Sequence, residues 1–231
     1  MNRPPVPLVL PSRTAGSGSG WVAGIAKHKV LRNTYALLSM TLLFSAAMAA
    51  LGVVFKLPAP GLVITLIGYF GLLFLIHKVQ NSGWAVPAVF ALTGFMGYTL
   101  GPVLAMHLSL PGGAQAMTLA LGATGVTFLG LSGWVLATRR DFSFMGGFLF
   151  AGMLIAFVAG LAAVFLQLPA LALAVSAMVA LLSAGLILFE TSRIVNGGET
   201  NYVLATVSLF VSLFNLFTSL LSLFGFGGSN D

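Results

Sequence analysis

The chain has 231 residues, 58% apolar and only 6% charged, with a mean hydropathy of +1.06. Soluble domains carry roughly a quarter charged residues, so this composition excludes a water-facing globular surface and calls for one that faces lipid. The absence of cysteine excludes disulfides and thiolate metal sites, and the net charge of +6 reads as basic residues fixing membrane orientation, with no nucleic acid as partner.

Residues 1–20 are rich in Pro, Gly and Ser, and the apolar run at 6–10 is broken by prolines and too short for a secretory signal. Residues 1–26 are therefore expected to form a disordered cytoplasmic tail, with 27–228 as one transmembrane domain. Lys27, Lys29 and Arg32 alternate with apolar residues, as they would in a segment resting on headgroups before the chain enters the bilayer. Seven apolar stretches follow, at about 34–54, 60–77, 84–106, 115–138, 145–167, 170–190 and 203–224. The expected fold is all-α and membrane-embedded. Pro60, Pro87 and Pro169 fall in the first turns of spans two, three and six, where a missing N–H costs little. Pro102, late in span three, is expected to kink that helix or unwind its end.

Counting Lys and Arg by side sets the orientation. With the N-terminus inside, Arg3, Arg13, Lys27, Lys29, Arg32, Lys78, Arg139, Arg140 and Arg193 are internal and only Lys56 is external. This predicts a multi-pass plasma-membrane protein with a cytoplasmic N-terminus and its C-terminus on the far side. Trp84 and Trp134 then both belong to the inner interfacial belt. Gly97 and Gly101 form a small-xxx-small pair that serves packing inside the bundle.

In the last span, Ser208, Ser212, Asn215, Ser219 and Ser222 are spaced 4, 3, 4 and 3 residues apart, which puts all five on one helical face. Lipid offers hydroxyls and amides no hydrogen bond, so this face should turn toward other helices, and the last helix should be the one the others pack around. Span six ends at Glu190, the strongest single candidate for a functional residue. An ionised carboxylate at that depth needs a partner or takes up a proton. Arg193, three residues on, is the nearest partner, and Lys78 could approach across the bundle. Two roles stay open for Glu190: a salt bridge closing the inner end of the bundle, or a titrating gate on a cation or proton path. Asn196-Gly197-Gly198 supplies the left-handed residues that end span six, and Glu199 favours the positive end of the last helix.

Other chemistry is weaker. The run 130–133, Gly-Leu-Ser-Gly, looks like the nucleophile site of rhomboid intramembrane proteases. Such a serine needs a histidine base, and His28, His77 and His107 all lie at span ends. Ser132 is read as a helix-packing serine, His107 as a solvated loop residue, and His77 as interfacial. No catalytic residue, cofactor or metal site is expected.

Several segments look familiar as a set. Residues 189–202 (FETSRIVNGGETNY), 205–209 (ATVSL) and 215–217 (NLF), with 28–35 (HKVLRNTY), 60–62 (PGL), 93–95 (TGF), 101–102 (GP) and 165–170 (FLQLPA), together resemble the Bax inhibitor/YccA family over residues 27–228. The resemblance implies seven helices with the C-terminal one central and surrounded by the other six. It also implies an inner-membrane protein that partners the FtsH protease complex as modulator or slowly handled substrate, in membrane-protein quality control. In that setting the tail that begins Met1, Asn2, Arg3 and continues through Arg13 is the segment the protease engages. Other members look like pH-sensitive calcium leak channels that use an aspartate on each of the last two helices. Here Glu190 stands at the first position and Ser212 at the second, with Asn215 a turn further on. A lone carboxylate has no partner with which to share a proton, and calcium prefers six to eight oxygens, so that chemistry is not expected to carry over unchanged. A calcium or proton leak gated near Glu190 is the alternative reading.

Overall fold

The computed structural model describes the backbone of residues 18–227 and the side chains of residues 29–225. Met1, Asn2, Arg3 and Arg13, named above for the tail, lie outside the described residues. The chain runs as α1 (Gly18–Val54), α2 (Leu62–Val79), α3 (Ala85–Leu108), α4 (Gly113–Thr138), a 3-10 turn at Ser143–Met145, α5 (Gly146–Phe165), α6 (Pro169–Asn196) and α7 (Tyr202–Gly227). Seven of these segments are long and apolar enough to cross a membrane, that of α1 being Lys29–Val54. No strand occurs among the described residues. Helices are what lipid permits, because each satisfies its own backbone polar groups.

The prolines behave according to position. Pro169 is the first residue of α6 and Pro87 sits in the first turn of α3. Pro60, expected inside span two, precedes it: Gly61, at φ 79°, is the residue before the helix, a conformation that suits glycine. Pro102 does not unwind α3, which continues to Leu108.

The packing of α1 on α3 depends on missing side chains. A Cβ on Gly101 would lie 2.9 Å from the Gly52 Cα, and one on Gly97 would lie 3.0 Å from the Met48 Cβ and closer still to the Ser45 carbonyl. The small-xxx-small pair therefore brings two helices of the same chain to backbone contact. By contrast, Gly71, Gly122 and Gly125 face open space.

α7 packs against α1, α3, α4 and α6, and half of its spanning stretch is buried, more than in any other span. α2 lies on α3, and α5 lies on α6 and touches α2 where the Phe157 and Phe70 rings meet edge to face. None of the five seam residues of α7 is exposed, and Ser212 and Ser219 are buried. Two seam hydroxyls nevertheless bond within their own helix: Ser212 Oγ donates to Ser208 O at 2.9 Å and Ser222 Oγ to Thr218 O at 3.0 Å. A serine can satisfy its hydroxyl on the preceding turn, so a polar stripe in lipid does not by itself require cross-helix hydrogen bonds.

The loops at one end of the bundle are stitched together by side chains. The Asn201 amide donates to Gln80 O at 3.3 Å and to Asn81 Oδ1 at 3.2 Å, tying the α6–α7 turn to the α2–α3 turn. Ser192 Oγ donates to Arg140 O at 3.1 Å and accepts from the Phe142 N–H at 2.9 Å, tying α6 to the α4–α5 loop. In that loop the Ser143 N–H bonds the exposed Asp141 carboxylate at 2.8 Å and holds its pKa below the ordinary value. Lys78, Arg139, Arg140 and Arg193 all belong to this end, as do the exposed Trp84 and Trp134, with the Arg140 guanidinium 5.8 Å from the Trp134 ring centre.

Asn201 also starts α7, its Oδ1 accepting from the Val203 N–H at 2.9 Å and the Leu204 N–H at 3.4 Å, the donors an N-cap satisfies. Asn201→Ala should cost about 1 kcal/mol in unfolding free energy, read by reversible denaturation in detergent. An unchanged midpoint would show that water replaces the cap.

Candidate functional site

The apolar run of α6 stops at Phe189, but the helix does not. It continues to Asn196, where Gly197 (φ 81°) caps it in the left-handed conformation and the Gly198 N–H returns to Arg193 O at 2.8 Å. The apolar stretch expected to end at Glu190 thus lies in a helix that continues more than a turn beyond it, to the stop expected at Asn196-Gly197-Gly198. Thr191, Ser192 and Asn196 carry the helix on because each finds a polar partner: Thr191 Oγ1 lies 3.2 Å from Ser132 Oγ on α4, and the Asn196 amide donates to Ser192 Oγ at 3.2 Å. Ser132, 2% exposed, holds α4 to α6, as a packing serine does.

Prolonging the helix puts Glu190 inside it and Arg193 one turn further on the same face. Glu190 is 7% exposed, and its Oε2 lies 3.6 Å from Arg193 Nη1. That is too long for a hydrogen bond, and this oxygen has no hydrogen-bond partner. The guanidinium instead donates from Nη2 to Glu199 Oε2 at 3.1 Å and lies 5.5 Å from the Phe189 ring centre. Glu199 Oε1 in turn accepts from the Asn201 N–H at 2.9 Å. One guanidinium therefore serves two carboxylates and hydrogen-bonds only one. The expected Glu190–Arg193 pair is present. Glu199, read as no more than a dipole partner for α7, is the member that sequence spacing missed, because the tight turn at Gly197 folds it back over the end of α6.

These groups line a cavity of about 400 Å³ between α2, α6 and α7. Ser208 and Ser212 contribute from α7, and Tyr69 and His77 from α2. Asn215 lies beyond it, in a smaller cavity of about 150 Å³ with Thr65 and Thr99 that shares Tyr69. The structure thus brings Glu190, Arg193 and Ser212 together, with Asn215 next along the same seam. Lys78 does not join them. It is exposed and forms no ion pair among the described residues. Ile76 is the buried face of α2, and two residues on at roughly 100° each turn Lys78 away from the bundle.

His107 is a second correction. It is 8% exposed in the last turn of α3, with Nδ1 2.9 Å from Val103 O, and its ring packs beside Gly225 of α7. The sequence offered no neighbouring carboxylate to suggest burial. The cause is tertiary: Gly225 on α7 leaves room for the ring, while Gly113 lets the α3–α4 turn close onto the His107 carbonyl.

Known proteins show the same pattern over most of the chain. The family model described as inhibitor of apoptosis-promoting Bax1 matches residues 27–230. The chain is 54% identical over 202 residues to a protein of Escherichia coli K12 named modulator of FtsH protease YccA, covering 87% of this chain and 92% of that protein. Its counterpart in another E. coli strain, named inner membrane protein YccA, matches at the same identity and coverage. An uncharacterized protein of Pseudomonas aeruginosa is 50% identical, covering 87% of this chain and 91% of its own length. With the family model spanning nearly all of the transmembrane bundle, the chain belongs to the Bax1-I family of membrane proteins.

Proposed function

We propose that the protein is a multi-pass inner-membrane modulator of an FtsH-type membrane protease. The observation that carries this reading is the 54% identity, over 92% of its length, with the E. coli protein named for that role. The role is regulatory rather than enzymatic. A cytoplasmic N-terminus is part of this reading, supported by Lys78, Arg139, Arg140 and Arg193 at one end of the bundle against Lys56 at the other. On this reading the tail, residues 1–26 with Met1, Asn2, Arg3 and Arg13, is what the protease engages, although α1 already begins at Gly18, while the helices supply the membrane contact. A cation or proton leak draws less support, since Glu190 lacks a second acid at the position held by Ser212.

Affinity purification of the full chain from native bacterial membranes should recover the protease. Deleting residues 2–17 should lengthen the protein's own half-life severalfold in cells that contain the protease, and leave it unchanged in cells that lack it. Failure to recover the protease, with normal membrane insertion, would overturn the partner. Recovery with unchanged turnover would overturn only the role of the tail.

A further inference from the structure

We infer that the cavity between α2, α6 and α7 binds a small alkylammonium ion, its charged head on Glu190 and its alkyl body along the cavity wall. This goes beyond protease modulation and does not rest on it. The head of the site is an acid left incomplete. Glu190 is more than nine-tenths buried, lines the cavity, and has a carboxylate oxygen with no hydrogen bond. A buried carboxylate oxygen without a donor is costly, and costlier while ionised. The nearest cation, Arg193, sits 3.6 Å away and gives its hydrogen bond to Glu199. With both carboxylates ionised, two against one guanidinium leave one formal negative charge, which a single monovalent cation neutralises. A water molecule can meet the missing hydrogen bond but not the charge.

The walls select the kind of cation. Leu73, Ile76, Leu186, Leu204 and Val211 line the cavity, with Ser208, Ser212 and Tyr69 as its hydroxyl-bearing residues. About 400 Å³ falls in the range of small-molecule sites. A divalent metal suits it poorly: calcium takes six to eight oxygens, and among the described residues no group of three His, Cys, Asp or Glu side chains could hold a metal. A bare monovalent ion would leave the apolar wall unmatched. An ammonium head supplies N–H donors to Glu190 in a charge-assisted hydrogen bond, and an alkyl chain covers the leucines and valine.

The test uses the full chain in detergent and n-butylammonium chloride as probe, with sodium chloride at equal ionic strength as reference, read by calorimetry. Saturable binding is expected, weakened about tenfold or more in Glu190→Gln, the loss of one charge-assisted hydrogen bond. Ser208→Leu, which fills the cavity without changing its charge, should also weaken binding. Ser222→Ala, on the same helix and outside the cavity, should bind as the parent does. Absence of saturable binding, equal binding by Glu190→Gln and the parent, or displacement of the probe by equimolar calcium would each overturn the assignment. Should Glu190→Gln fail to fold, unimpaired binding by Ser208→Leu would do so.

Discussion

Gly97→Ala is expected to destabilise the protein by about 2–3 kcal/mol, the cost of overpacking a close-packed contact, while Gly122→Ala leaves it unchanged or slightly more stable. The two substitutions are chemically identical, and both lie inside apolar helices. At Gly97 the new methyl meets the Ser45 carbonyl and the Met48 Cβ at 3.0 Å, part of the α1 backbone and a carbon one bond from it. Neither can rotate away, so α1 and α3 must separate along their contact. That separation also loosens Gly52 against Gly101, a turn further along, where the backbones are so close that a Cβ on Gly101 would sit 2.9 Å from the Gly52 Cα. At Gly122 nothing lies within 4 Å, and alanine's better helix propensity is the remaining effect. Unfolding of the two variants in the same detergent should separate them clearly. Equal midpoints would mean that the α1–α3 contact is looser than its glycines suggest.

What could be read from the residues divides along one physical line. The spans were legible because an apolar stretch of some 20 residues has few alternatives to a membrane helix. The turn at Gly197 and the entry at Pro169 were legible because they depend on local backbone chemistry. The rest depends on tertiary partners. The hydrophobicity of span six ends at Glu190 and does not show what carries the helix on to its stop, which is Ser192 and Asn196 holding the next turns through the α4–α5 loop. His107 reads as solvated because Gly225, the glycine that admits its ring, is distant in sequence. The Glu190–Arg193 pair was legible at spacing three. Lys78 was not excluded, because only the packed face of α2, marked by Ile76, reveals which way the lysine turns.

That pair carries the second large effect. Arg193→Met should destabilise the bundle by about 2 kcal/mol, below the 3–5 kcal/mol of a fully buried pair, because the guanidinium is 32% exposed and partly solvent-screened. The loss does not come chiefly from the 3.6 Å contact itself. Removing the guanidinium strands two carboxylates near each other, Glu190 9% and Glu199 13% exposed by side chain, with no other cation paired to them among the described residues. Methionine keeps most of the stem that packs at Phe189, so lost packing contributes little. The diagnostic comparison is the double variant Glu190→Gln with Arg193→Met. If stranded charge is the cause, neutralising Glu190 should recover more than half of the loss, and the two substitutions should couple by about 1 kcal/mol or more. Strict additivity would place the arginine's contribution in its bond to Glu199 alone. In that case Arg193 would hold the α6–α7 turn and leave the buried glutamate essentially unneutralised within the cavity.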